Sequence, residues 1–469
     1  MLDPSVGQIH DWGNSVLKLM ADYFGGIRDR KVYPNTSSKE IRERLDRTLP
    51  IEGVDFEELL TVFRETIIPF SRHNAHPRMF GYVQSPGLPV AAFADLLTSF
   101  LNPNLTAWRS APAAVELERL TIDWIRQILG FDPAAGGLFL SGGSMANLVA
   151  LAVARQAKKV SLGLGRLYVS NETHHSVMKA AALLGIGRQN VVLVAVDERC
   201  RMRTDDLVAK ISADRKAGYE PFCVVANAGT VNSGAVDNLV QVREVANQHR
   251  LWMHVDGSYG AFAILAPSAR DLFRGIELAD SVALDPHKWL YLPVDAGCII
   301  YREPELAPAA FVLDAEYTRI LGEGAEESFA FWDYGPELSR RFRALKVWML
   351  LKGVGLNDLG GAIENNLACA RHLESLVRES ADFEMLAPVE LSIFCFRYLS
   401  AQLRSATPQA IDAFNERLLL ALQTDGSSYL SNALINGRFA LRGCVLNYHT
   451  TLADMETLLD DLRRVARTI

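Results

Sequence analysis

Ser281-Val282-Ala283-Leu284-Asp285-Pro286-His287-Lys288-Trp289 is a short apolar run that ends in a proline-broken turn carrying one lysine beside one histidine. Four apolar residues closed by Asp-Pro read as a buried strand and the turn that leaves it. Upstream, Leu251-Trp252-Met253-His254-Val255 is a second such run, closed by Asp256-Gly257-Ser258-Tyr259-Gly260. Further apolar runs cover 138–140, 166–170, 191–195, 222–226 and 298–301, with amphipathic helical stretches between them. Their hydrophobicity is continuous rather than alternating, so the expected strands are covered on both faces, as in a mainly parallel seven-stranded sheet of the α/β class. Ligands of such sheets bind beyond the carboxyl ends of the strands.

The residues that fall at those ends have a common chemistry. Lys288 supplies an amine able to condense with an aldehyde, and Asp256 a carboxylate able to hold a protonated ring nitrogen. Pyridoxal phosphate asks a protein for that pair. Leu140-Ser141-Gly142-Gly143-Ser144-Met145-Ala146-Asn147 reads as a strand, a glycine-rich turn and a helix start. Backbone N–H groups near Gly143, with Ser144, make a phosphate seat there. His174 and His175 follow the run 166–170, and an imidazole at that place can stack on the cofactor ring and position a substrate carboxylate. The residues alone do not choose between the two.

The rest of the composition narrows the class. The chain has 469 residues, enough for two or three domains, and a formal charge of −7 with no block of Lys or Arg, which argues against nucleic acid or an acidic membrane surface as partner. The start Met1-Leu2-Asp3-Pro4-Ser5-Val6 lacks the basic and apolar segments of a secretory signal. No run reaches the roughly 18 apolar residues that span a bilayer. Six scattered cysteines without CxxC pairing read as buried free thiols. A cytoplasmic enzyme is expected.

Three units are expected: an N-terminal helical arm over 1–88, a large cofactor-binding domain over 89–352 and a small C-terminal α+β domain over 353–469. In the arm, Val6, Ile9, Trp12, Val16, Leu17, Leu19, Met20 and Tyr23 recur at helical spacing before Gly25-Gly26, and a polar connector follows around 34–38. A second helix is expected over 56–66. So little core cannot stand alone, and the arm is expected to pack on a partner subunit or on the main domain. In the last unit the pattern gives a helix over 361–378, a strand over 393–398, a helix over 410–423, one strand over 439–447 and a terminal helix from Asp454.

The motifs resemble those of the group II pyridoxal-phosphate-dependent amino acid decarboxylases, in the aromatic-L-amino-acid decarboxylase branch. They run in order through His76-Pro77-Arg78-Met79-Phe80-Gly81-Tyr82, the stretch from Ser110 to Glu118, the Ser141 turn, Thr173-His174-His175-Ser176-Val177, Gly229-Thr230, His254 to Tyr259, Asp285 to Trp289 and Leu338-Ser339-Arg340-Arg341-Phe342-Arg343-Ala344-Leu345-Lys346, and Asn447-Tyr448-His449-Thr450-Thr451 extends the likeness. The resemblance implies a fold-type I obligate homodimer that decarboxylates L-amino acids. It implies Lys288 as the amine bonded to the cofactor, Asp256 on the ring nitrogen, and His174 rather than His175 stacked on the ring. It also implies Gly143, Ser144, Thr230, Ser258 and His287 as cofactor contacts, and Tyr82, Asn104, Thr106 and His174 around the substrate.

The chain departs from the family pattern at several of these places. Family members carry a loop tyrosine nine residues before the first arginine of Arg-Arg-Phe-Arg, implicated in protonating the substrate carbon after CO₂ leaves. Phe331 stands there, in Glu327-Ser328-Phe329-Ala330-Phe331-Trp332-Asp333-Tyr334. Phenylalanine donates no proton, which raises a second reading: an aromatic aldehyde synthase that consumes O₂ and gives aldehyde, CO₂, ammonia and hydrogen peroxide. A shifted register bringing Tyr334 to the site restores the amine product. Asn104 and Thr106 stand where aromatic-specific family members usually have larger apolar residues contributed across the dimer interface, which implies a more polar or roomier pocket; Val231 stands where threonine is common and Asp285 where asparagine is common. A third reading keeps the cofactor and changes the reaction to that of an aminotransferase or desulfurase.

Overall fold

The computed structural model describes residues 2–161, 163–312 and 327–469. Seven strands form one sheet: β1 (Gly136–Leu140), β2 (Gly165–Ser170), β3 (Val191–Val194), β4 (Glu220–Asn227), β5 (Trp252–Asp256), β6 (Ser281–Leu284) and β7 (Gly297–Tyr301). Their order across the sheet is β1-β7-β6-β5-β4-β2-β3, and only β7 runs against the others. β5, β6 and β7 are buried at every position. This matches the expectation from continuous apolar runs, since helices cover both faces.

The helix Gly143–Ala157 lies across β1, β7, β6, β5 and β4. Ala146, Ala150 and Ala154 are all buried on it. Such small residues let the helix sit close to the strands, and its first turn therefore opens directly above the ends of β5 and β6.

A second, antiparallel sheet of β8 (Phe383–Met385), β9 (Ile393–Tyr398), β10 (Ser431–Ile435) and β11 (Arg438–Cys444) has the order β10-β11-β9-β8. The single strand expected over 439–447 is corrected to a hairpin. Asn436 and Gly437 take φ of 50° and 74°, the paired left-handed conformation of a tight two-residue hairpin turn. The chain leaves the sheet at Cys444 because Asn447 is used elsewhere: its amide donates to the carbonyls of Ala75 and His76 at 3.1 and 3.0 Å. The helix expected over 361–378 begins earlier and runs Leu356–Glu379. It passes through Gly360, where a Cβ would come within 2.8 Å of the Leu265 carbonyl oxygen.

In the N-terminal stretch the first helix is Val6–Gly25, capped by a reciprocal Ser5 and Gln8 pair, and none of its residues is buried within this chain. The polar connector is followed by a helix the pattern missed, Ser38–Arg44, whose cap is Ser37. The helix Phe56–Val62 continues as a wider turn over Phe63–Ile67. All six cysteines are buried and unpaired. No helix among the described residues is long and apolar enough to cross a membrane.

Candidate active site

The carboxyl ends of β1, β4, β5 and β6 open on one cavity of about 580 Å³. Lys288 reaches it from the single helical turn Pro286–Trp289 that follows β6. Its Nζ is 2.7 Å from Asp285 Oδ2, and the lysine side chain keeps 22% exposure while the aspartate keeps 3%. His287 stands alongside, its Nδ1 2.8 Å from the Ala296 carbonyl, and burial lowers the imidazole's pKa.

Asp256 ends β5 on the cavity wall. Its Oδ1 accepts the Ser258 N–H at 3.1 Å and its Oδ2 accepts from Asn147 Nδ2 at 2.8 Å. Burial raises this carboxyl's pKa, but the Ser258 and Asn147 hydrogen bonds, with the His254 imidazole and the Lys288 charge nearby, outweigh it, and the net shift is downward. Asp256 is therefore a firmly ionised group, as a partner for a protonated ring nitrogen must be.

His174 caps the helix His175–Leu183. Its Nδ1 accepts the Ser176 N–H at 3.2 Å and lies 2.8 Å from Ser176 Oγ. Burial pushes its pKa down, so it is the neutral imidazole with Nε2 left to carry the proton. His174 lines the cavity and His175 is not among its lining residues.

Across from the lysine, the turn Ser141-Gly142-Gly143-Ser144 begins the helix Gly143–Ala157. First-turn N–H groups have no intrahelical acceptor and favour an anion. A Cβ on Gly143 would lie 2.2 Å from Ser258 Oγ and 2.9 Å from Asp285 Oδ2, so only glycine leaves this cradle open. Ser258 Oγ and Asp285 Oδ1 are buried without a hydrogen-bond partner. The cradle, the orphaned hydroxyl and the lysine and aspartate beyond it fit a phosphorylated aldehyde with a basic ring nitrogen. Asp285 is the one discordant element, a carboxylate at the edge of an anion seat.

The chain matches the model of the pyridoxal-dependent decarboxylase conserved domain over residues 38–399. It is 35% identical to the aromatic-L-amino-acid decarboxylase of Bacillus atrophaeus, over 100% of this chain and 97% of that one. The chain belongs to the pyridoxal-dependent decarboxylase family. Its fold is that of the Oryza sativa TDC solved with PLP and tryptamine (TM-score 0.93, 27% identity, 99% of this chain and 98% of that one). The Rhodiola rosea 4-hydroxyphenylacetaldehyde synthase is similar too (TM-score 0.90, 26% identity, 99% of both chains).

Of the expected contacts, Tyr82, Gly143, Ser144, His174, Asp256, Ser258, His287 and Lys288 meet at this family cavity. Tyr82 stands at its mouth, half exposed, with the Arg72 guanidinium 4.8 Å from its ring centre. Thr230 is not brought in: its hydroxyl is spent within its own turn, 2.8 Å from Ser233 Oγ and accepting the Ala235 N–H. Its neighbours Gly229 and Val231 line the cavity instead, and the Val231 carbonyl is held by Arg442 at 2.7 Å.

Asn104, Thr106 and Phe331 lie elsewhere in this chain. Asn104 Oδ1 accepts the Arg340 N–H at 2.8 Å, and the Thr106 carbonyl accepts the Phe331 N–H at 2.9 Å. The Phe331 ring is 1% exposed. Tyr334 does not line the cavity either; its ring stacks on Phe329 at 5.4 Å.

Sequence reading missed Asn147 and Arg442. Each left a signal: Asn147 is the lone polar side chain in Met145-Ala146-Asn147-Leu148-Val149-Ala150-Leu151, one turn past Gly143. Arg442 is a lone charge in Phe439-Ala440-Leu441-Arg442-Gly443-Cys444.

Proposed function

We propose that this protein removes the carboxyl group of aromatic L-amino acids and releases the amine and CO₂. The observation that carries the reading is that Lys288 and the ionised Asp256 face one cavity closed by the Gly143 cradle. When bound there, pyridoxal phosphate supplies the electron sink for the pair left by the departing carboxylate. Lys288 Nζ is the amine that anchors it, Asp256 holds the ring nitrogen in its protonated form, and Gly143, Ser144 and Ser258 hold the phosphate. His174 presents Nε2–H toward the substrate carboxylate. The half-exposed Tyr82 ring and Val83 offer an apolar wall to an aromatic side chain. The name of the Bacillus relative and the tryptamine bound to the rice enzyme support that substrate class.

The aldehyde synthase reading keeps one observation in its favour, the missing hydroxyl at Phe331, and the likeness to the Rhodiola enzyme agrees with it. Incubation of holoenzyme with carboxyl-labelled phenylalanine, tyrosine, dopa and tryptophan, with CO₂, amine, aldehyde and peroxide all quantified, tests both. Labelled CO₂ with an equal amount of amine supports decarboxylation. Aldehyde and stoichiometric peroxide in place of amine replace it with the second reading, and absence of labelled CO₂ points to transamination.

We further infer a homodimer. The outer face of the helix Pro89–Leu101 exposes Leu96, Phe100 and Leu101, and the helix Val6–Gly25 buries nothing within its own chain. Apolar faces of that kind mark contact with another chain.

A further inference from the structure

Behind the cavity a row of buried polar side chains has only one consistent assignment of donors and acceptors. The Asp256 carboxylate only accepts, so Asn147 must turn Nδ2 toward it, at 2.8 Å. The Asn147 Oδ1 then faces His254 Nε2 at 2.8 Å, and that nitrogen must carry a proton. His254 Nδ1 is left as an acceptor, 2.9 Å from Ser281 Oγ, and Ser281 Oγ in turn accepts the indole N–H of Trp252 at 2.9 Å. An indole only donates. The two ends of the row, a pure acceptor and a pure donor, agree on every bond between them.

Asn147 also branches. Its second N–H donates to Ser176 Oγ at 2.9 Å, and that hydroxyl stands 2.8 Å from His174 Nδ1. Asn147, His254, Ser281 and Ser176 are each no more than 3% exposed. Water therefore does not compete for these bonds, and each unmet partner would be costly.

We propose that Asn147, held by the Trp252-Ser281-His254 row, is the positioning residue that couples Asp256 to His174. It keeps the carboxylate ionised and aimed at the ring nitrogen, and keeps Nδ1 of His174 engaged so that Nε2–H faces the substrate. The inference rests on the proposed roles of Asp256 and His174. The titratable groups facing Asp256 are the neutral His254, on its own strand, and Lys288; those facing His174 are Asp256, Lys288, His175 and Asp285.

The test compares holoenzyme of wild type with Asn147→Leu, Ser281→Ala and Asp256→Ala. Readouts are cofactor dissociation, the pH dependence of the bound cofactor's visible absorbance, and kcat and KM against pH. Asn147→Leu, close in volume, is expected to bind the cofactor within about tenfold of wild type and to lose about 10–100-fold in kcat, the size seen for outer-shell partners. KM should change less than about threefold, since Asn147 does not itself line the cavity and only the His174 contact with the substrate is loosened. The acid limb of the kcat profile should move to higher pH, because a carboxylate that loses a donor takes up a proton more readily. Ser281→Ala, which touches neither Asp256 nor His174, should shift the acid limb in the same direction by a smaller amount, and it keeps the test alive where Asn147→Leu does not fold. A wild-type acid limb and kcat in both relay variants, with Asp256→Ala inactive, overturns the coupling alone. If Asp256→Ala itself keeps wild-type absorbance and rate, the assignment of Asp256 fails instead.

Discussion

The guanidinium carbon of Arg340 lies 4.1 Å from the centre of the Phe331 ring. The same guanidinium donates to the Leu105 and Phe139 carbonyls at 3.1 and 2.9 Å and pairs with Glu118, both charges being almost fully buried. One arginine thus ties together the stretch holding Asn104 and Thr106, the edge strand β1 and the segment after residue 327. Removing one member of a buried, hydrogen-bonded ion pair costs about 3–5 kcal/mol, because the other charge is left unmet. Arg340→Met is expected to lower stability by that amount in urea denaturation of the cofactor-loaded enzyme. A loss below about 1 kcal/mol would mean that the pair is idle.

Phe331→Tyr bears on the product. The Phe331 ring points into its own chain, against Arg340 and Phe329, so a hydroxyl added there meets buried groups rather than Lys288. The amine-to-peroxide ratio of the variant is expected to stay within about twofold of wild type, a difference of less than about 1 kcal/mol in the branching step. A clear rise in amine at the expense of peroxide would favour the aldehyde synthase reading.

Asp285→Asn addresses the discordant carboxylate. Asp285 Oδ2 would be 2.9 Å from a Cβ on Gly143, so its charge stands at the edge of the phosphate seat. Like charges about 4 Å apart repel by roughly 1–4 kcal/mol at effective dielectrics between water and a protein surface. The amide keeps the shape and removes the charge. It is expected to tighten cofactor binding by about 5–10-fold in equilibrium dialysis, at the lower end of that range because the Lys288 contact at 2.7 Å is weakened too. Weaker binding would show that holding Lys288 matters more than sparing the phosphate.

The sheet was legible because strands covered on both faces cannot hide their composition: β4 to β7 are apolar nearly end to end, and the residues just past them are where polar side chains resume. Lys288 and Asp256 could be paired from that fact alone. What stayed hidden depends on contacts between residues far apart in the chain. Asn147 meets Asp256 and His254 more than a hundred positions away; its place as a lone polar residue in an apolar run marks it but does not name those partners. β10 was missed because Ser431-Asn432-Ala433-Leu434-Ile435 alternates only weakly, and its hairpin signal is the following Asn436-Gly437. Thr230 is not among the residues lining the cavity: its neighbours Gly229 and Val231 are, while its hydroxyl closes its own turn.

The exposed helix face gives a prediction for assembly. Phe100 is 84% exposed, with Leu96 at 60% and Leu101 at 64% beside it. Burying a phenylalanine side chain is worth roughly 1.5–3 kcal/mol, and a glutamate in its place brings an unpaired charge into the contact. Phe100→Glu is expected to weaken self-association by at least about tenfold in sedimentation equilibrium, with wild type a dimer. A wild-type monomer, or a variant that associates as tightly, would remove this face from the interface.

Acid should withdraw the stability that the buried, neutral His254 contributes. Burial pushes the His254 imidazole from 6.5 down to about 4, and His76 behaves the same way. Above pH 6.5 both the folded and the unfolded chain hold His254 neutral, and its contribution to stability is complete. As pH falls from 6.5 toward 4 the unfolded chain takes up the proton and the folded one does not, so stability drains away across that window. For His254 the loss is on the order of 3 kcal/mol. The His254 contribution to the urea midpoint of the cofactor-free protein should therefore be lost between about pH 6.5 and pH 4, against an opposing gain from Asp237, whose carboxyl burial pushes up to about 6. His254→Gln, which cannot take up the proton, should start from lower stability at neutral pH, having broken the row to Asn147, and show a shallower fall. Equal slopes in the two proteins would mean that His254 is protonated to the same extent folded and unfolded. That would remove the neutral, Nε2-protonated imidazole on which the Asn147 assignment depends.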